Sequence, residues 1–233
     1  MTRRYYVPEL PPEGGLVSLS DTEAQHALRV MRAQANDALE LFDGRGHQAD
    51  ATVTQVNRRE CHCLAKPAEV VDREPATKLH LGIALPKPDR ARELIERLTE
   101  LGVQQVTPIV AQRTQRPPTD SLLKKLRRGV IESCKQCERN LLMTVSDPVQ
   151  LEQFLDDNDL PAEKWIAHPT GDRLASQQDN ASASVIAIVG PEGGWTEDEV
   201  SAATNADYQT IALGPRIFRI ETAAAYLAAR LID

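Results

Sequence analysis

Two glycine-bearing loops near the end of the chain hold the residues best suited to chemistry. The first, Gly190-Pro191-Glu192-Gly193-Gly194, directly follows the apolar run at residues 185–189. The second, Leu213-Gly214-Pro215-Arg216-Ile217-Phe218-Arg219, leads through Ile220 and Glu221 into an alanine-rich stretch. A strand that stops at glycine exposes bare backbone, because no Cβ holds a ligand away. Two such loops, about 20 residues apart at the ends of neighbouring strands, suit a nucleotide-type ligand held by main chain. That pattern points to a cofactor enzyme. No Gly-x-Gly-x-x-Gly or phosphate-cradling loop follows any strand, so the grip is not on a pyrophosphate. An adenosine cofactor without phosphates fits apolar pockets and backbone hydrogen bonds better.

The elements that must position these loops read as an α/β alternation. Residues 79–85 form an apolar strand, and Leu94, Ile95, Leu98 and Leu101 make one stripe of the helix at 90–101, with Gly102 past its end. Residues 106–110 are the next strand. A helix starting near 119–121 puts Leu122, Leu126, Val130 and Cys134 on its buried side, leaving Lys124, Lys125, Arg127 and Arg128 mostly on the other. A short strand at 165–168 ends in His168-Pro169. Thr196 and Glu199 make a capping box, so a helix starts just after the first glycine loop. The last helix covers 221–231. Such alternation implies a largely parallel sheet with helices on its faces.

The first 70 or so residues differ. Ala38 to Phe42 alternate in polarity, Asp43-Gly44-Arg45-Gly46 gives a turn, and strands follow at 49–56 and 61–65. Ahead of them Ser20-Asp21-Thr22-Glu23 starts a helix carrying His26, Arg29 and Arg32. Pro67 and Pro75 mark a boundary, giving a small β-rich domain at 1–74 and an α/β domain at 75–233.

The net charge of −7 is unevenly spread: residues 77–140 hold 13 Lys/Arg against 7 Asp/Glu, whereas residues 141–233 hold 5 against 15. A basic middle inside an acidic chain permits a phosphate-binding face, because screening confines surface charge to roughly 8–10 Å. No run approaches the roughly 18 apolar residues of a membrane span, and the start shows no secretory signal. The cytoplasm is the expected location. Cys61, Cys63, Cys134 and Cys137 lie in strand and helix patterns without the glycine turns of zinc knuckles, so they are expected to be reduced, buried thiols rather than metal ligands.

The runs GPEGGWTEDEV (190–200) and LGPRIFRIETAA (213–224) resemble the two signature loops of the RsmE family. These are SPOUT-superfamily methyltransferases that modify N3 of a uridine in 16S ribosomal RNA. RELIERLTELGV (92–103), CKQCERN (134–140), HALRVMR (26–32), LELFDGRG (39–46) and RRYYV (3–7) are similar to further family segments, so the likeness covers nearly the whole chain. It implies a C-terminal domain with a deep trefoil knot, an exception to the unknotted rule, behind a PUA-like β-barrel. It implies a homodimer acting on 16S rRNA or the small ribosomal subunit, with no membrane association. S-adenosylmethionine is expected among three loops: His168 and Pro169; Gly190, Pro191, Glu192, Gly193 and Gly194; and Leu213, Gly214, Ile217, Phe218 and Arg219. Phe218 and Ile220 stand where the family usually has Leu and Thr, Arg97 where it has Lys, and Gln112-Arg113-Thr114 replaces Glu-Arg-Ser/Cys.

Uracil N3 carries an imide proton and is a poor nucleophile until that proton leaves, so the enzyme must supply a base or positive charge. Arg219 is the candidate for the charge, with Glu221 orienting it or accepting the proton. Glu192 is a second candidate, as base or as a partner for the sulfonium. Glu221 fits equally well as a helix N-terminal carboxylate favoured by the dipole. Arg3, Arg4, Arg29 and Arg32 on the small domain, with Arg113, Arg116, Lys124 and Arg128, are the candidates for RNA contacts, and Tyr5 and Tyr6 for base stacking. A SPOUT enzyme acting on tRNA or on a ribose 2′-hydroxyl, and a non-catalytic RNA-binding protein of the same fold, are the alternatives.

Overall fold

The computed structural model describes residues 3–157, 163–173 and 184–232. They fall into two compact units, Met1–Glu74 with Ile131–Leu142, and Pro75–Val130 with Met143–Asp233.

Period-two alternation builds the first unit. Its strands are β1 (Arg4–Tyr6), β2 (Gly15–Ser18), β3 (Ala38–Phe42), β4 (His47–Val56), β5 (Cys61–Ala65) and β6 (Glu69–Val70). They pair in the order β1-β3-β4-β5-β2, with β6 on β4. The β1–β3 pair is parallel and the others antiparallel. Leu39 and Leu41, then Ala49, Ala51 and Val53, then Cys61 and Cys63 turn to one core, which includes Tyr5. Tyr5 is therefore a core residue rather than a stacking surface, and burial pushes its hydroxyl up to about 12.

The capping pattern at Ser20 predicts one continuous helix. Instead α1 (Asp21–Gln25) passes at once into a π-helical turn, His26–Val30. Arg32 follows in the left-handed region at φ 50°.

Residues 131–142, which the sequence pattern assigns to the second domain, cluster with the first unit, and Arg4 supplies the reason. Its guanidinium donates to Glu40 Oε1 at 2.5 Å, to the carbonyls of Cys134 (2.5 Å) and Arg139 (3.1 Å), and to Asn140 Oδ1. It also lies 4.3 Å over the Phe42 ring. Arg139 adds a bidentate pair with Glu74, Nε to Oε1 at 2.8 Å and Nη2 to Oε2 at 2.5 Å.

The second unit holds a parallel sheet. From here the elements run β7 (Lys78–Ile83), α2 (Pro88–Glu100), β8 (Gln105–Val110), α3 (Asp120–Cys137, of which residues 131–137 belong to the first unit), β9 (Thr144–Val145), β10 (Val149–Gln150), α4 (Leu151–Leu155), β11 (Glu163–Arg173), β12 (Ser184–Val189), α5 (Glu197–Asn205), β13 (Gln209–Ala212) and α6 (Ile220–Leu231). The order is β10-β8-β7-β12-β11-β13, with β9 on β8. Every pairing is parallel.

Helices cover the sheet, so the central strands are continuous apolar runs: Leu79, Leu81 and Ile83 on β7, and residues 185–189 on β12, are all buried. α6 packs on β7, β12 and α2. The α3 stripe expected on Leu122 falls on Leu123, together with Leu126, Val130 and Cys134.

Strand order decides which loops become neighbours. The chain leaves β7 toward β8 on one side and returns to β12 on the other, so the β7/β12 boundary is a topological switch point. β11 lies between β12 and β13, which brings the C-terminal ends of those three strands side by side. Among the described residues no helix is long and apolar enough to cross a membrane.

Candidate cofactor and catalytic site

The parallel register aligns the three loops at one end of the sheet. Ile166 on β11 lies opposite Ile188 on β12 and Thr210 on β13. β11 then makes an excursion, because Ala167 and Asp172 both face Ile211. His168 and Pro169 sit on that excursion. His168 Nδ1 is 2.8 Å from Thr170 Oγ1. Gly171 closes it against β13, where a Cβ would lie 2.5 Å from Ile211 N.

The first glycine loop is held from three sides. Gly194 N donates to Pro191 O at 2.8 Å, closing a turn that puts Gly194 at φ 72°. Gly190 lies flat on the buried Trp195, so close that a Cβ would be 2.8 Å from the ring. Trp195 Nε1 donates to Ala167 O at 3.1 Å, which ties this loop to β11. Arg113 Nη1 donates to the carbonyls of Gly193 (2.9 Å) and Trp195 (3.1 Å). The capping box forms as read: Thr196 Oγ1 accepts from Glu199 N, and Glu199 Oε2 accepts from Thr196 N. Glu199 Oε1 takes a further bond from Gln112 N at 2.7 Å.

The second glycine loop turns at Gly214, with φ 130°. A Cβ at Gly214 or Gly194 would meet nothing within 4 Å, so both backbones face open space. Arg219 is the N-cap of α6 and stays exposed, while Glu221 in the first turn is 8% exposed. Ile217 is almost wholly exposed, and Phe218 meets Tyr226 edge-on at 5.6 Å.

Sequence reasoning missed the residue that joins the candidate carboxylates. Arg90, in the first turn of α2, places Nη2 3.0 Å from Glu192 Oε1 and Nη1 3.5 Å from Glu221 Oε1. A signal was present: a cation in the first turn of a helix faces the positive end of the dipole and is misplaced there unless acids answer it. Glu221 Oε2 is buried without a hydrogen-bond partner among the described residues.

The structure sorts the basic candidates. Arg4 is 5% exposed and fully occupied, which makes it a structural side chain rather than an RNA contact. Arg113 is spent on loop carbonyls, and Arg3 pairs with Asp37. Arg29, Arg32, Arg116, Lys124 and Arg128 are exposed. The thiols of Cys63 and Cys134 are buried and pushed up to about 12 by loss of water, and among the described residues no group of three or more His, Cys, Asp or Glu is placed to hold a metal.

Comparison with known proteins gives these features a family. A sequence profile of the RNA methyltransferase domain matches residues 73–232, and one of the RNA methyltransferase PUA domain matches residues 19–65. Ribosomal RNA small subunit methyltransferase E of Synechocystis is 31% identical over 224 residues, covering 92% of this chain and 72% of its own length. The protein of the same name from Bacillus subtilis is 30% identical over 230 residues, covering 92% and 88%. Among solved structures, ribosomal RNA small subunit methyltransferase E of Neisseria gonorrhoeae, bound to S-adenosylmethionine, superposes with a TM-score of 0.90 at 29% identity, covering 98% of this chain and 96% of that one. A methyltransferase of Legionella pneumophila with bound S-adenosylmethionine gives 0.91 at 29% identity, covering 99% and 97%. The glycine-loop site therefore stands in a chain that belongs to the RNA methyltransferase family, among the small-subunit ribosomal RNA methyltransferases E.

Proposed function

We propose that this chain is an S-adenosylmethionine-dependent methyltransferase that methylates N3 of a uridine in the 16S RNA of the small ribosomal subunit. The observation that carries the reading is the convergence of three loops at the ends of β11, β12 and β13, two of them with glycine backbone facing open space. Those open faces fit an adenosine cofactor that brings its own donors. The residues that would hold it are His168 and Pro169, Gly190 to Gly194, and Leu213, Gly214, Ile217, Phe218 and Arg219. When bound, the cofactor supplies a methyl group activated by a positively charged sulfur.

The rest of the chemistry falls to the chain. The uracil N3–H must lose its proton, and a cation beside the ring favours the anion. Arg219, exposed at the α6 N-cap, has the freedom to approach a base presented from solvent. Glu221, two residues on, is the proton acceptor or the group that orients Arg219. Glu192 stands on the first glycine loop as the second candidate.

Residues 1–74 serve as the PUA-like RNA-binding domain and 75–233 as the methyltransferase domain. Arg29, Arg32, Arg116, Lys124 and Arg128 contribute phosphate contacts, which hold RNA without reading its sequence. The knot implied by the resemblance is supported by β11 lying between β12 and β13. The enzyme works in the cytoplasm as a homodimer; exposed Ile217 and Tyr226 beside the second loop support that assembly.

The test is transfer of labelled methyl from S-adenosylmethionine to small subunits that lack uridine methylation, with tRNA and bare 16S RNA as parallel substrates. Incorporation into small-subunit RNA and not tRNA is expected. Label in tRNA alone would overturn the reading.

A further inference from the structure

We infer that Arg90 is a positioning residue that couples the first glycine loop to the start of α6 and holds Glu221 ready for the incoming uridine; the second half of this rests on the function proposed above. Three observations converge. Arg90 sits where the α2 dipole disfavours a cation, yet it is only half-buried and reaches two carboxylates 102 and 131 residues away in sequence. A guanidinium presents its donors at fixed positions on a planar fork, so it sets the separation of two acceptors in a way that the rotatable donors of an ammonium do not. Finally, the fork uses one oxygen of Glu221 and leaves the other buried and without a partner among the described residues.

A buried carboxylate oxygen without a donor is costly, and its persistence calls for an occupant. The imide N3–H of a uracil is such a donor. With Oε1 paired to Arg90, Oε2 is the oxygen left to take the N3 proton. The Arg90–Glu192 bond links the same fork to the loop at 190–194. Loop and base acceptor are thereby set by a single side chain.

Arg90→Ala, Arg90→Lys, Glu221→Gln and the double variant Arg90→Ala/Glu221→Gln test this by two readouts. The first is amide hydrogen exchange of the cofactor-free protein. Arg90→Ala is expected to speed exchange roughly tenfold or more both at 190–195 and in the first turns of α6, with the β7 and β12 amides unchanged. Arg90→Lys, which keeps the charge without the fixed fork, is expected to loosen both segments less than Arg90→Ala does. The second is single-turnover methyl transfer at saturating cofactor. Arg90→Ala is expected to lose roughly 30- to 100-fold in rate while its cofactor Kd, from calorimetry, changes by less than about threefold. The double variant is expected to be no slower than Glu221→Gln alone, because residues acting as one unit are not additive.

Unchanged exchange in both segments overturns the coupling, and a double variant slowed by the product of the two single effects overturns the route through Glu221. Wild-type protein that transfers no methyl to small-subunit RNA, with the exchange pattern as expected, would leave the clamp standing and remove the proposed reaction instead.

Discussion

The indole nitrogen of Trp195 donates to the carbonyl of Ala167 across 3.1 Å, and the same ring lies beneath Gly190. One side chain thus fixes the distance between two of the three loops that make the candidate cofactor site. Trp195→Phe keeps most of the buried ring but removes the donor, leaving a carbonyl short of one bond. The expected result is a loss of about 1–2 kcal/mol in cofactor affinity, roughly 5- to 30-fold in Kd. Calorimetric titration with S-adenosylmethionine checks this, with circular dichroism confirming that the fold is kept.

Glycine positions divide by what they do. Gly194 and Gly214 have open Cβ directions but positive φ. Alanine at either is expected to cost about 1 kcal/mol or more in backbone strain and to weaken cofactor binding by intruding on the open face. Gly129, in the middle of α3 with nothing near its Cβ, is the contrast. Gly129→Ala is expected to stabilise the protein by roughly 0.5–1 kcal/mol. Urea titrations of the three variants give the comparison.

The arginines separate in the same way. Arg4→Ala strands Glu40 and two carbonyls in a buried place, and is expected to destabilise the protein by about 3 kcal/mol or more. Arg29→Ala and Arg32→Ala should leave stability within about 0.5 kcal/mol. Each should lower the slope of log affinity against log salt for RNA by roughly 0.7–0.9. Chemical denaturation and filter binding at several salt concentrations distinguish the two classes.

His80 on β7 supplies a pH signature. It is half-buried beside Phe154 (5.5 Å between rings) and its Nε2 lies 2.8 Å from Thr107 Oγ1. Burial pushes it down from 6.5 to about 4. The folded state therefore resists protonation that the unfolded chain accepts. Stability is full above pH 6.5 and falls progressively as pH drops from there to about 4, by about 3 kcal/mol from this group. His80→Gln is expected to flatten that part of the acid limb, measured by urea unfolding at pH 7 and pH 4.5.

Much of this was legible in the residues. Alternation at 38–42 and 61–65 and the stripe of Leu94, Ile95 and Leu98 report local geometry, which is where pattern reasoning is strongest. The Thr196–Glu199 box is equally local. What sequence reading missed depends on distant partners. Arg4 near the chain start reads as a surface cation, and only the fold shows it buried with Asn140 and the carbonyl of Cys134. Arg90 acquires its meaning from strand order, which brings the loop after β12 and the start of α6 to α2. The excursion of β11 at residues 168–171 needs β13 alongside to be recognised.

Everything proposed for the site turns on the identity of the product. Small subunits lacking uridine methylation would be incubated with the protein and S-adenosylmethionine, beside Arg219→Ala, and the RNA digested to nucleosides for mass spectrometry. N3-methyluridine is expected with the wild-type protein, and a loss of at least about 100-fold with Arg219→Ala, within the range seen when a single stabilising donor is removed. A 2′-O-methylated nucleoside, or no methylation by a protein that still binds the cofactor, would contradict the proposed reaction.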